Sequence, residues 1–312
     1  MAVTDAGKQP AAREIAPLPA PPAEAPLKRF LSDFAASRLA TGAALLLAAI
    51  IVVAFLSPVI SPQDPYDLAT VSVLDARLPP GSENFAGYTH WLGTDGAGRD
   101  LLSAILYGLR ISISVGLASG VIALFVGMAI GLVAAYVGGR TETLIMRVVD
   151  LQLSLPAVLV ALILLAILGK GIDKIIIALV VAQWAYYART VRASALVERR
   201  CEYVEAAQSL GLSHARIMFR HILPNCLAPL IVVGTVQTAH AIALEATLSF
   251  LGVGLPQTEP SLGLLIANGF EYMISGKYWI SVFPGLALLL TIVSINMVGD
   301  QLRDVLNPRL QK

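Results

Sequence analysis

Long uncharged runs alternate with short charged stretches along the chain. No Asp, Glu, Lys or Arg falls between Arg38 and Asp64, between Arg110 and Arg140, between Asp150 and Lys170, between Arg220 and Glu245, or between Lys277 and Asp300. Each run approaches or exceeds the about 20 apolar residues that a membrane-spanning helix needs, and a charge at mid-bilayer costs about 2.5–3.5 kcal/mol. Five spanning helices are therefore predicted, over 38–58, 110–137, 144–168, 224–252 and 279–301. A sixth is predicted over 172–193. Its uncharged run from Ile175 to Ala188 is short, but the stems of Lys174 and Arg189 can lie along apolar surface and carry their charges outward. The pattern is that of an all-α polytopic membrane protein with six transmembrane helices.

Composition agrees. Of 312 residues, 56% are hydrophobic and 14% charged, whereas a soluble domain carries about 25% charged residues. A soluble chain would have to hide that apolar surface in one oversized core. The net charge of +1 argues against a nucleic-acid binder, and Cys201 and Cys226 are too few for a disulfide framework. The basic residues also set a direction. Sixteen of the 22 Lys and Arg fall in the N-terminal segment, near residue 140, between 189 and 220, and at the C-terminal end. The opposite side holds Arg77, Arg99, Arg110, Lys170, Lys174 and Lys277, with many of the acidic residues. By the positive-inside rule both termini are cytoplasmic. Residues 1–37 read as a cytoplasmic tail, disordered where Pro10, Pro17, Pro19, Pro21, Pro22 and Pro26 crowd it, with a short amphipathic surface helix over Lys28–Ser37. The first hydrophobic run begins only near Leu39, so no cleavable signal is expected. Residues 59–106 form the extracytoplasmic loop and 304–312 a cytoplasmic tail.

Within that loop lies Gly93-Thr94-Asp95-Gly96-Ala97-Gly98-Arg99-Asp100. Glycines beside Asp and Arg suggest a tight turn held by side-chain to backbone hydrogen bonds, with Asp100 capping a helix that starts near Leu101. A structural turn and a substrate contact are both open readings of Gly93, Thr94, Asp95, Gly98, Arg99 and Asp100. Catalytic patterns are missing. There is no G-x-x-x-x-G-K-[ST] loop, the four histidines show no metal spacing, and no G-x-S-x-G elbow exists. No catalytic residue, metal or cofactor is expected. Ionisable residues inside spans are functional candidates by default, and only His240 and Glu245 qualify, as pathway contacts or as hydrogen bonds between helices. Gly116, Gly120, Gly127 and Gly131, spaced four, seven and four apart, read as helix-packing sites. Ser154-Leu155-Pro156 and Pro284 are expected to kink their helices.

The stretch RTVRASALVERRCEYVEAAQSLGLSHARIMFRHILPN, 189–225, is the most informative. Its first half is helix-forming and should stop at Gly211, which can take the left-handed conformation, and Ser213 should cap a second short helix before Pro224 opens the next span. Small Ala206 and Ala207 beside Glu205 suit close docking of a partner, although a loop lying on lipid headgroups has the same periodicity. Glu205-Ala206-Ala207, Gly211 and His221-Ile222-Leu223-Pro224-Asn225 resemble the Glu-Ala-Ala loop of permease subunits in binding-protein-dependent ABC importers. HWLGTDGAGRDLLSAILYGLRISISVG at 90–116, EATLSFLGVG at 245–254 and GDQLRDVLNPR at 299–309 resemble the C-type permease of the dipeptide, oligopeptide and nickel branch.

The resemblance implies a type I ABC importer permease fold, with a permease core at 107–303 and a coupling loop at 194–223. It implies ATPase coupling through Glu205, Ala206, Ala207, Gly211, His221, Leu223, Pro224 and Asn225. The implied partners are a second homologous permease forming a heterodimer, two ABC ATPase subunits that hydrolyse ATP, an extracytoplasmic substrate-binding protein and the lipid bilayer of the bacterial inner membrane. The implied cargo is di- and oligopeptides, with nickel or glutathione as the alternative. An ion-coupled secondary transporter is the rival from outside the class; it would need buried coupling carboxylates and inverted repeats.

Overall fold

The computed structural model describes residues 26–65, 67, 71–84, 87–256, 258–259 and 261–306. The expectations for the tail before residue 26 and after residue 306 lie outside these residues. In chain order the helices are α1 (Pro26–Ala35), α2 (Arg38–Phe55), α3 (Ser57–Ile60), α4 (Leu101–Val137), α5 (Gly139–Ser154), α6 (Ala157–Leu168), α7 (Ile172–Glu198), α8 (Glu202–Ser209), α9 (His214–Arg216), α10 (Leu223–Phe250), α11 (Leu262–Phe270) and α12 (Trp279–Leu306). A small antiparallel hairpin, β1 (Ser82–Glu83) and β2 (Thr89–His90), lies between α3 and α4.

Several expected boundaries shift, among them the end of the helix predicted over 172–193, now Glu198, and of that over 279–301, now Leu306; three regions have a visible local cause. The span predicted over 110–137 continues a helix that starts at Leu101, where the expected Asp100 cap forms: its carboxylate accepts the Ser103 N–H. Arg110 thus lies inside the helix. The span predicted over 144–168 is two helices, α5 and α6, meeting at 92°. Pro156 has no N–H to continue the ladder and holds Leu155 extended, at ψ 138°. Past Gly211, α9 runs through a π-helical stretch, Ile217–Ile222, into α10. In regular α-helix the Pro224 ring would clash with the carbonyl four residues back; the wider winding, with Leu223 N–H bonded to Met218 O, avoids this. Two helices, the short α3 and α11, have no counterpart among the expected elements.

Among the described residues, four helical stretches are long and apolar enough to cross a membrane: Arg38–Phe55, Leu101–Val137, His214–Phe250 and Trp279–Leu306; the bent pair α5–α6 makes a fifth at most. The six-helix expectation is therefore met only in part. Although 27 residues long, α7 carries Asp173, Lys174, Arg189 and Arg192. On α2 the small Ala40, Ala43 and Ala54 face inward while Leu45, Val52 and Phe55 face out, the arrangement that close packing in lipid favours.

Glycines on α4 bring backbones into contact. A Cβ on Gly127 would stand 2.4 Å from the Trp184 carbonyl oxygen, and one on Gly131 2.3 Å from that of Ala188. The order of these contacts makes α4 and α7 parallel. Gly116 meets Ile242 and Gly120 meets Thr238, so α10 runs antiparallel to α4. At about 1.5 Å per residue, α4 separates its two ends by about 55 Å. The 57–100 segment gathers at one end and α8 at the other.

Candidate functional site

At the far end of α4, α7 stops at Arg199 and the chain turns through Arg200 and Cys201 into α8. Val204 and Ala207 point into a core shared with Leu132, Ala135, Val191, Ile217, Ile222 and Cys226. Glu205 and Ala206 point out to solvent with Ser209 and Leu210. Spacings of three and four on a helix put 204 and 207 on one face and 205, 206 and 209 on the other. The two alanines therefore differ: Ala207 is small because its own bundle surrounds it, and Ala206 is the one at the surface.

Gly211 closes the helix at φ +71°. Its N–H bonds to Gln208 O at 2.9 Å and that of Leu212 to Ala207 O at 3.2 Å, the paired bonds of a Schellman stop. Nothing lies within 4 Å of where its Cβ would be, so glycine is needed here for its conformation and not for space. Ser213 sits at the start of α9 but makes no side-chain cap bond.

Asn225 of the motif, together with Glu198, Arg199 and Tyr203 outside it, holds the loop in place. Asn225 donates to Tyr203 Oη at 2.9 Å and to His221 O at 3.3 Å, and Tyr203 donates to Glu198. One chain of hydrogen bonds thus joins α7, α8 and α10. Burial, and then the Glu198 acceptor, push the Tyr203 phenol from 10.0 up to about 12. Arg199 donates to Ala135 O at 2.9 Å at the carbonyl-rich end of α4, with its guanidinium 5.7 Å from the Tyr136 ring centre. Tyr136 in turn meets His214. Arg189 pairs with Asp150 and Arg192 with Glu142, tying α7 to α5. Several of the arginines that fix the expected orientation therefore also fasten this end of the bundle. The π-helical stretch delivers Ile222 to the core and leaves His221 and Leu223 half-buried, with Pro224 exposed.

At the other end of α4, the polar side chains of the 93–100 turn are used within it and on the segments packed beside it. Asp95 Oδ1 accepts the N–H groups of Ala97 and Arg99 at 2.8 and 3.0 Å, and Oδ2 accepts Arg99 Nε at 2.8 Å. Thr94 bridges the Leu78 N–H and Asp75 O. Asp100 takes Ser103, His90 Nδ1 and, through its own N–H, Gln63 Oε1. Cβ atoms on Gly93 and Gly98 would stand 2.5 and 2.1 Å from the Leu78 and Ser72 carbonyl oxygens. Burial and the nearby Asp100 charge push the Tyr88 phenol beside this turn upward. Glu245, fully buried, accepts Ser112 Oγ of α4 at 2.7 Å and Ser249 Oγ at 2.8 Å. His240 faces outward on the same helix, so the structure does not bring the two together. Among the described residues no group of three or more His, Cys, Asp or Glu is placed to hold a metal ion.

Residues 127–312 match the family described as binding-protein-dependent transport system inner membrane component, and residues 25–80 match the N-terminal TM domain of oligopeptide transport permease C. The chain belongs to this permease family. The permease is 45% identical to a putative peptide transport system permease protein of Brucella suis over 85% of this chain and 86% of that one. It is 39% identical to the di/tripeptide transport system permease protein of Pseudomonas aeruginosa, over 92% and 93%, and 36% identical to the oligopeptide transport system permease protein of Bacillus subtilis, over 89% and 88%. Among solved structures, an inward-facing form of the MetNI methionine ABC transporter aligns with TM-score 0.55 at 17% identity, over 66% of the permease and 98% of that chain. At that identity the likeness concerns the fold alone.

Proposed function

We propose that this permease is half of the transmembrane pathway of an ATP-driven peptide importer and that α8 is the surface on which the ATPases act. The observation that carries this reading is the capped helix at one end of the bundle, with Glu205 and Ala206 turned away from the core and Gly211 fixing its exit. Val204 and Ala207 anchor α8 to α4, α7 and α10, so a push on its outer face reaches the spans without being lost in a flexible loop. Small Ala206 lets a partner surface come close to the α8 backbone.

The proposal includes six passes. Parallel α4 and α7 require the chain to return between them, and α5–α6 supplies the return, with Val149 in one core cluster with Ala185 and Ala188 of α7 and Leu165 in another with Ile175 and Leu179. Both termini and α8 lie in the cytoplasm, following the basic residues, and the 57–100 segment faces outward. The partners are a second homologous permease, two ABC ATPases and an extracytoplasmic binding protein, in the bacterial inner membrane. Peptide cargo is supported by the names of the relatives above. Switching nearly fully between inward-open and outward-open states takes about 5.5 kcal/mol of differential stabilisation; ATP binding by the partner subunits supplies it, so the permease itself needs no catalytic group.

Gly211→Val should abolish ATP-dependent peptide uptake in vesicles containing the partner subunits, with unchanged permease level in the membrane. Gly211→Asn should retain most of it, since Asn tolerates positive φ. Full uptake by the Val variant would refute the role given to α8. Glu205→Lys should lower the amount of ATPase that copurifies.

A further inference from the structure

A cavity of about 480 Å³ lies between the first third of α4, the start of α7 and the segment joining α10 to α11, within the usual size of small-ligand sites. Ile111, Val115, Ile172 and Ile176 give it an apolar wall. Two opposite charges also reach it, Arg110 and Glu259. Neither is in an ion pair among the described residues. Arg110 is exposed into the space, whereas Glu259 Oε2 is shielded from water and has no hydrogen-bond partner. With one oxygen already desolvated and without a donor, the Glu259 carboxylate gains from a cation at its other oxygen, Oε1, and the Arg110 guanidinium fork matches a carboxylate in a bidentate pair.

We propose that this cavity is a subsite for the charged ends of a short peptide, with Arg110 taking the α-carboxylate, Glu259 the α-ammonium, and the isoleucines the apolar middle. The assignment rests on the importer reading above and adds where in the permease the cargo is recognised. A zwitterionic lipid headgroup presents similar chemistry, so the test separates the two.

The assembled transporter is placed in nanodiscs of phosphatidylglycerol, with Ser114→Cys on the cavity wall as reporter and Cys201→Ser removing the partly exposed native thiol. Labelling of the introduced thiol is timed without nucleotide and in the ATP-vanadate state. Dialanine should slow labelling in at least one state, while its C-terminal amide and its N-acetyl form should need about tenfold higher concentration or more, the effect of losing one charge-assisted contact. Arg110→Gln should erase the difference between acid and amide, and Arg110→Lys should keep it; Glu259→Gln should erase the difference between free and acetylated amine. Equal protection by all three compounds overturns the proposal, and this comparison decides even if the charge variants fail to assemble. Slowed labelling without peptide in phosphatidylethanolamine discs alone assigns the cavity to a lipid headgroup and also overturns it. If the unmodified transporter with its binding protein imports dialanine but dialanine protects in neither state, the subsite fails and the importer reading stands. If nothing is imported, the importer reading itself fails.

Discussion

Gly211 has a positive φ and open space where a side chain would stand, so a substitution there acts through the backbone alone. Tyr203, in the same loop, acts through a proton. Its neutral phenol donates to Glu198 and accepts from Asn225. Since the folded-state value lies near 12 against 10.0 for the free phenol, this contribution to loop stability is complete below pH 10 and is lost as pH rises through about 12. The tyrosinate absorbance lost in Tyr203→Phe, taken as the difference from wild type, should titrate near 12; a difference titrating near 10 would show that Tyr203 is not held in this way. Residues 205–211 were legible as a motif because their spacing is local. Glu198 and Arg199 were not, since what makes them matter is a hydroxyl or a carbonyl on another helix.

At the scale of elements, α4 is the common wall against which α7 and α10 pack, and its glycines set the distance. Gly131 stands so close to the Ala188 carbonyl that a side chain must push α4 and α7 apart. Gly131→Leu should therefore lower the stability of the purified permease by at least about 1–3 kcal/mol, the usual effect of overpacking. Gly234→Ala on α10, where nothing lies within 4 Å, should be neutral or slightly stabilising. Thermal unfolding in detergent checks the pair, and equal midpoints would remove the glycine contact as a determinant. Charge-to-charge counting found the long helices, and the Asp100 cap, legible in the same sequence, placed the start of α4 at Leu101, ahead of the uncharged run that follows Arg110. It treated 144–168 as one helix with a kink, although Pro156 turns the axis by 92°. It did not resolve α11, a nine-residue helix whose Gly263 and Gly269 pack against Ala246 and Ile280. Such a segment is too short to stand out by hydropathy.

Over the whole molecule, the hairpin end and the α8 end are separated by the length of α4. In cells carrying Cys201→Ser, Glu83→Cys should react with an impermeant maleimide from outside, and Ser209→Cys only in inverted vesicles. The reverse pattern would turn the protein over in the membrane.

The sequence alone determined features that depend on neighbours a few residues away: the apolar helices, the Asp100 cap, the Gly211 stop, the break at Pro156 and the motifs of the permease family. Hydrogen-bond ladders, caps and proline rings act within one turn of chain, so spacing is enough to read them. Only the tertiary structure decided which alanine of the 206–207 pair is buried, that Glu245 takes a serine 133 residues away, that Arg199 holds a carbonyl 64 residues back, and that Arg110 and Glu259 share one cavity. Those pairings are set by how helices seat against one another, and in lipid many small-residue stripes can make equally close contacts. The pattern along the chain names the candidates, and packing selects among them.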